Sequence, residues 1–237
     1  MTLVIGYGNQ IDSATLSGTW TNTANLKTRY LAQKATAGAG AYLDIDLGSA
    51  KTIGLVALVA ETMTSGTVTI TAGATQGATT FNSGALSVYS GVDFAHTFAA
   101  VSYRWWRITV SAAGTVGRIF IGPRFRPGYG AGFGSTAQVE SLTKVSETLG
   151  GMNFFDQRPN RRIWQGKLDW LTDAEGYAWQ QIQRDQDVWG ESYLIEDDTD
   201  TAYRGLRNFY GRLRALSAIE WPYATTRATA IEIAELL

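Results

Sequence analysis

The chain carries few residues that could run a reaction. His96 is its only histidine and it has no cysteine. A histidine-rich metal site, thiolate ligands, a cysteine nucleophile and disulfides are therefore excluded, and no histidine-based triad is expected. His96, between Ala95 and Thr97, reads as structural. Asp44 and Asp46 share one strand face, but no partnered acid, nucleophile or oxyanion donor accompanies them. Glu196-Asp197-Asp198-Thr199-Asp200 could gather oxygen ligands for calcium, yet it lacks the glycine and the distant glutamate of an EF-hand loop. It reads as a solvated hairpin turn. The expectation is a protein that is not an enzyme, with no catalytic residue, cofactor or metal.

Two sets of residues could instead serve recognition. Carbohydrate binding combines an aromatic face with a few polar groups placed around it. Trp20, Asn22, Asn25 and Arg29 supply such types within ten residues. The competing interpretation is that Trp20 closes one end of a core and the others are turn residues. The second set lies further on. Arg158, Arg161 and Arg162 follow Asp156 in the most charged stretch of the chain, and arginine is favoured in ion pairs between subunits. Five of the eight tryptophans (Trp164, Trp170, Trp179, Trp189 and Trp221) fall after residue 126, more than one small core needs. Tryptophan is enriched at interface hot spots, so Trp164, Trp189 and Trp221 join the arginines as expected interface residues.

The elements that must position these groups are mostly strands. At 237 residues with 45% hydrophobic and 12% aromatic content, the chain has material for two cores. Its net charge of -1 gives no electrostatic reason to expect a nucleic-acid partner. No apolar run approaches the roughly 18 residues of a membrane-spanning helix, and no secretory signal is expected from the N-terminal residues. Composition shifts at Phe125: residues 1–125 hold 8 basic and 5 acidic side chains, residues 126–237 hold 12 and 16. Between the halves, Arg126 to Gly134 contains four glycines and a proline. Residues 126–136 read as a linker, or as an arm that docks on a neighbouring subunit.

In the first half, Tyr42 to Leu47 alternates, with Leu43, Ile45 and Leu47 on one face. Ile53 to Ala60 is short and apolar enough for a strand buried on both faces. Thr67 to Thr71 alternates again, and Tyr103 to Val110 leads to a last strand ending at Gly122. Trp105 and Trp106, adjacent in a strand, must point to opposite faces. In the second half, residues 137–149 are ambiguous but favour an extended strand, and Ile163 to Leu171 alternates. Thr172 with Glu175 forms a capping box for one helix, expected to pack through Ala174, Tyr177, Ala178, Gln181 and Ile182 and to end between Asp185 and Gly190. Glu191 to Ile195, Tyr203 to Tyr210, Gly211 to Leu216 and Arg227 to Ala234 read as strands.

Two resemblances follow from these residues. Tyr42 to Leu47 with Gly48, the strand Tyr103 to Val110 and the closing Ile119-Phe120-Ile121-Gly122 resemble discoidin-type, galactose-binding-like domains over roughly residues 5–125. This implies a jelly-roll antiparallel β-sandwich in residues 1–125. Phe155 to Arg162 before a Trp-x-Gly strand, Asp169-Trp170-Leu171-Thr172, Gly211 to Arg214 and Ile219 to Tyr223 resemble the tail-tube-like split barrel of bacteriophage tail proteins over roughly residues 137–237. The fold implied is mainly β, with a C-terminal β-barrel or sandwich holding one α-helix. The function implied is a virion structural protein of a phage tail tip or baseplate, a distal-tail or hub component made in the bacterial cytoplasm. Its partners would be a homo-oligomeric ring, trimer or hexamer, and other phage tail proteins, with a host-surface glycan as a further candidate. The alternative is a free carbohydrate-binding protein acting through the N-terminal sandwich.

Overall fold

The computed structural model describes residues 2–132, 134–200 and 202–237; Phe133, part of the glycine-rich linker, lies outside the described residues. In chain order the strands of the first half are β1 (Val4–Tyr7), β2 (Thr15–Gly18), β3 (Ala35–Ala37), β4 (Tyr42–Val59), β5 (Thr67–Gly73), β6 (Phe81–Ser87), β7 (Phe94–Val110), β8 (Gly114–Val116), β9 (Arg118–Gly122) and β10 (Arg124–Phe125). The second half adds β11 (Thr136–Glu140), β12 (Lys144–Glu147), β13 (Asn153–Asp156), β14 (Arg161–Thr172), α1 (Asp173–Gln186), β15 (Glu191–Ile195), α2 (Arg204–Arg207), β16 (Asn208–Leu213), β17 (Ile219–Tyr223) and β18 (Thr226–Glu235). All pairings are antiparallel.

β4 and β7 are long because each serves two layers of a sandwich. The first part of β4 pairs with β2 and with the end of β7, which continues to β5 and β6. The second part pairs with the start of β7 and with β9. The register shifts between Asp46 and Lys51 and again between Ile53 and Leu55, and bulges of this kind bend a strand out of one layer into the next. Leu43, Ile45, Leu47, Ile70, Trp106, Ile108, Ile119 and Ile121 fill the space between the layers. Trp106 is buried and Trp105, on the other face, is half-buried beneath the Arg104 guanidinium, 5.4 Å from its ring centre.

The second half builds one open sheet in the order β10-β1-β15-β16-β18-β14-β11, with β17 also on β18. Its first strand comes from the other end of the chain: Val4–Tyr7 pairs with β15 and β10. The division at residue 125 therefore separates the loops better than the sheets. α1 covers one face of this sheet through Trp179 and Ile182, packed with Leu3, Ile5, Trp164, Leu168 and Ile231. The opposite face meets the sandwich. Val4, Tyr193, Ile195 and Tyr210 pack on Leu55, Ala57, Val59 and Phe120.

That third cluster explains why Ile53 to Val59 is apolar throughout. Ile53, Val56 and Leu58 enter the sandwich core, while Leu55, Ala57 and Val59 enter the junction. Gly6 is required at this seam, because a Cβ there would lie 2.7 Å from Cε1 of Phe120. The molecule is thus four layers deep: helix, sheet, and the two sheets of the sandwich.

Three expectations are corrected here. The helix has its capping box, with Thr172 accepting from the Glu175 N–H, but it buries Gly176, Trp179, Ile182 and Gln183. Ala174, Tyr177, Ala178 and Gln181 face out. The largest side chain sets the inward direction, and Gly176 lets the Arg227 stem pass over the helix, where a Cβ would be 2.7 Å from its Cγ. Tyr203 to Tyr210 is not one strand: the Asp200 carboxylate accepts from the N–H groups of Ala202 (2.8 Å) and Tyr203 (3.2 Å), and this local turn starts α2 before β16 begins. Residues 137–149 form two strands, β11 and β12, in different sheets.

The glycine-rich linker lies against its own chain. Gly132 N–H donates to Lys167 O (2.7 Å) and Gly128 N–H to Glu175 Oε1 (2.6 Å).

Candidate functional site

The four residues singled out for sugar binding do not form an open set. Trp20 is 5% exposed and belongs to the sandwich core. Asn22 is exposed with φ 57° at the start of a 3-10 turn, Thr23–Lys27, and Asn25 donates to Lys34 O (3.0 Å). Arg29 crosses to the second half, 2.9 Å from Glu191 and donating to Trp189 O (2.9 Å). Ring, amides and guanidinium are held apart by three separate jobs.

Arg29 is the outer part of a buried polar seam. Arg118 has no solvent exposure, and its guanidinium pairs with Glu191 and with Asp12 (2.8 Å) while donating to Leu26 O (3.1 Å). Asn9 completes it, giving to Glu191 Oε2 (2.6 Å) and Ile119 O (3.0 Å) and accepting from Ile121 N–H (3.0 Å). Every member is answered from within the chain, so the seam sets how the halves dock.

Nearby, the Glu61 carboxylate accepts from Met63 N–H (2.8 Å), but its other oxygen is buried without a hydrogen-bond partner among the described residues. Burial, with a smaller push from Asp93, raises its pKa from 4.5 to about 7. In that window the folded chain binds more protons than the unfolded one. The contribution of Glu61 to stability is therefore fully present below about 4.5 and is lost as pH rises through about 7. Glu61→Gln is expected to flatten this part of a denaturation-versus-pH profile; an unchanged slope would show that Glu61 does not set it.

A cleft of about 380 Å³ lies between the sandwich and the second sheet, with several polar groups in its lining. Tyr89 and His96 face it from the sandwich, and Asp198, Arg204 and Asn208 from the other side. The Arg204 guanidinium lies 5.6 Å from the Tyr89 ring centre. His96 stacks on Phe98 at 5.6 Å; burial, then the charge of Arg204, hold its pKa below the ordinary value, which keeps the imidazole neutral at pH 7. Asn208 Oδ1 is buried without a hydrogen-bond partner among the described residues. Asp198 is the one carboxylate in the described lining, and Arg126 pairs with it at 3.1 Å. The arrangement suits binding of a hydroxylated or anionic ligand. It has no pair of carboxylates flanking a reacting bond, as glycoside hydrolysis requires. Residues about 100 positions apart build the cleft, so no local pattern exposes it; only the uniqueness of His96 could have drawn attention there.

The expected interface residues divide. Trp164 is 1% exposed and lies in the helix-side core. Its ring lies over Gly166, where a Cβ would be 2.3 Å from Cη2, which accounts for the Trp-x-Gly spacing on one strand face. Arg161 pairs with Glu140, Arg162 with Glu235, and Arg158 with Asp156 at 2.7 Å, so these cations already have carboxylates within the chain. Trp189 and Trp221 are exposed, beside Arg29 at 5.8 Å and Arg227 at 5.2 Å. The acidic turn is likewise engaged: Arg207 lies 3.6 Å from Glu196 and 3.1 Å from Asp200. No group of three or more His, Cys, Asp or Glu able to hold a metal occurs among the described residues, nor does a helix long and apolar enough to cross a membrane.

Sequence inspection missed the hairpin of β12 and β13. It pairs only with itself among the described residues, and all eight of its strand residues are exposed. Val145, Leu149, Met152, Phe154 and Phe155 face solvent. Phe154 and Phe155 are adjacent, so both faces of the hairpin are apolar.

No protein-family model matches the sequence, and the comparison with curated proteins found no match. Solved structures similar to this chain include CpGH89CBM32-6 of Clostridium perfringens, 15% identical at a TM-score of 0.39, covering 48% of this chain and 98% of its own. The family 32 CBM from C. perfringens NanJ in complex with galactose is 11% identical at a TM-score of 0.41, covering 49% and 98%. The lectin domain of lectinolysin complexed with Lewis B antigen is 13% identical at 0.39, covering 49% and 96%.

Proposed function

We propose that this chain is a non-enzymatic structural protein that assembles through its second half into a ring, as a component of a phage tail tip or baseplate. The β12–β13 hairpin carries this. A lone two-stranded hairpin is marginal in water, and this one shows apolar side chains on both faces. Burying each large one against a neighbour contributes about 1.5–3 kcal/mol. The edge strand β11, from which the hairpin emerges, is also exposed; an exposed edge is a template for pairing unless another subunit covers it. Threefold or sixfold closure is what the resemblance to tail-tube domains implies, and the virion is the location it implies.

Native mass spectrometry and negative-stain microscopy of the full chain test this. The intact protein is expected to form closed rings, and replacing residues 144–156 by a short Gly-Ser link is expected to leave a folded monomer. A monomeric intact protein, or rings that survive the deletion, would sink the proposal.

A second reading, a carbohydrate-binding protein acting through the sandwich, is favoured by the cleft. Tyr89 offers an aromatic face, with His96, Asn208 and Arg204 around it. In the same preparations, a monomer that binds galactose and loses it on Tyr89→Ala would favour that alternative.

A further inference from the structure

Away from both the hairpin and the cleft, β14 contains a bulge. Leu168 pairs with Thr229 and Leu171 with Arg227, so Asp169 and Trp170 stand opposite a single residue of β18. Trp170 adopts φ 65°, a left-handed conformation that a bulky side chain occupies only at a cost on the order of 1–3 kcal/mol. That backbone turns the indole outward, and it is 54% exposed. It stacks on Tyr223 with ring centres 5.6 Å apart and planes 10° from parallel. β17, which carries Tyr223, has its own irregularity between Glu220 and Tyr223. Two bulges thus bring two exposed rings into one stack.

Beside the stack lies a hollow of about 390 Å³, walled by Trp170 and Tyr129 and floored by Thr172, Thr225 and Thr226. No charged residue is among its described lining, although the Thr172 hydroxyl donates to Glu175 Oε2 behind it (2.8 Å). Thr225 is exposed, whereas the Thr226 hydroxyl oxygen is itself buried, without a hydrogen-bond partner among the described residues. We infer that this hollow binds a neutral pyranose. A pyranose has a flat C–H face to lie on the indole, and hydroxyls to meet the exposed Thr225. An uncharged wall suits an uncharged sugar, since a uronic or sialic acid would be desolvated here with no cation to answer it. In the conformation observed, with φ 65°, the Trp170 ring borders the hollow.

The test uses the full chain with galactose, glucose and N-acetylglucosamine as probes, followed by calorimetry and by ligand-observed NMR. At least one is expected to bind, and Trp170→Gly is expected to weaken it by about tenfold or more, as loss of an aromatic platform does. Glycine takes a positive φ without strain, so this variant is expected to melt no lower than the parent, which separates lost binding from lost fold. Thr225→Val is expected to weaken the same sugar severalfold, while Tyr89→Ala in the cleft leaves it unchanged. Binding by none of the three sugars, or binding that survives Trp170→Gly, would overturn the inference. So would loss of oligomers in Trp170→Gly without sugar binding in the parent, which would make the stack a contact between subunits.

Discussion

Replacing Arg118 by alanine is expected to destabilise the protein by about 3–5 kcal/mol, read from the midpoint of chemical denaturation. The magnitude comes from what is left behind. Glu191 is 4% exposed, and without Arg118 it keeps only the Asn9 amide and the half-exposed Arg29 as answers to its charge. Leu26 O also loses its donor. Removing both charges is a different matter, because desolvation offsets much of the attraction in a buried pair. The double variant Arg118→Met with Glu191→Met is therefore expected to recover most of the loss, leaving Arg29 and Asp12 to turn to solvent. A single variant within about 1 kcal/mol of the parent would show that the seam does not hold the halves together.

Phe120→Ala is expected to cost a similar amount, about 3–5 kcal/mol. Phe120 has no solvent exposure and packs in the cluster shared by the two halves, 6.1 Å from the Tyr193 ring. Gly6 lies against its ring and has no side chain to fill the space. The neighbours belong to both sheets, so the loss should be felt in both. Amide hydrogen exchange resolved along the chain is expected to show protection falling together in residues 53–59 and 193–195. Protection lost on one side alone would mean that the halves unfold separately, and that the junction is a contact between two domains and not a common core.

Much of the strand content could be read directly. Leu43, Ile45 and Leu47 face inward because alternation ties side-chain direction to sequence position, and the Thr172–Glu175 capping box marks the helix start for a similarly local reason. A periodic pattern of small and amide side chains does not say which arc of the helix is buried; Trp179 and the approach of Arg227 decide that. Arg29 looked like a ligand group because its partners, Trp189 and Glu191, are more than 150 residues away. The exposed hairpin was hidden for the opposite reason. Val145, Phe154 and Phe155 have strand chemistry, and such residues normally mark a buried strand.

By itself, then, the sequence determined the local periodicities, the absence of cysteine chemistry, and the change in character between the halves. The tertiary structure alone decided that Val4–Tyr7 completes the other half's sheet and that the sandwich and the helix-bearing sheet meet through a shared apolar cluster. It also decided which tryptophans are core and which are surface. Periodicity records which way a side chain points along its own strand, whereas burial depends on what arrives from elsewhere in the chain to cover it.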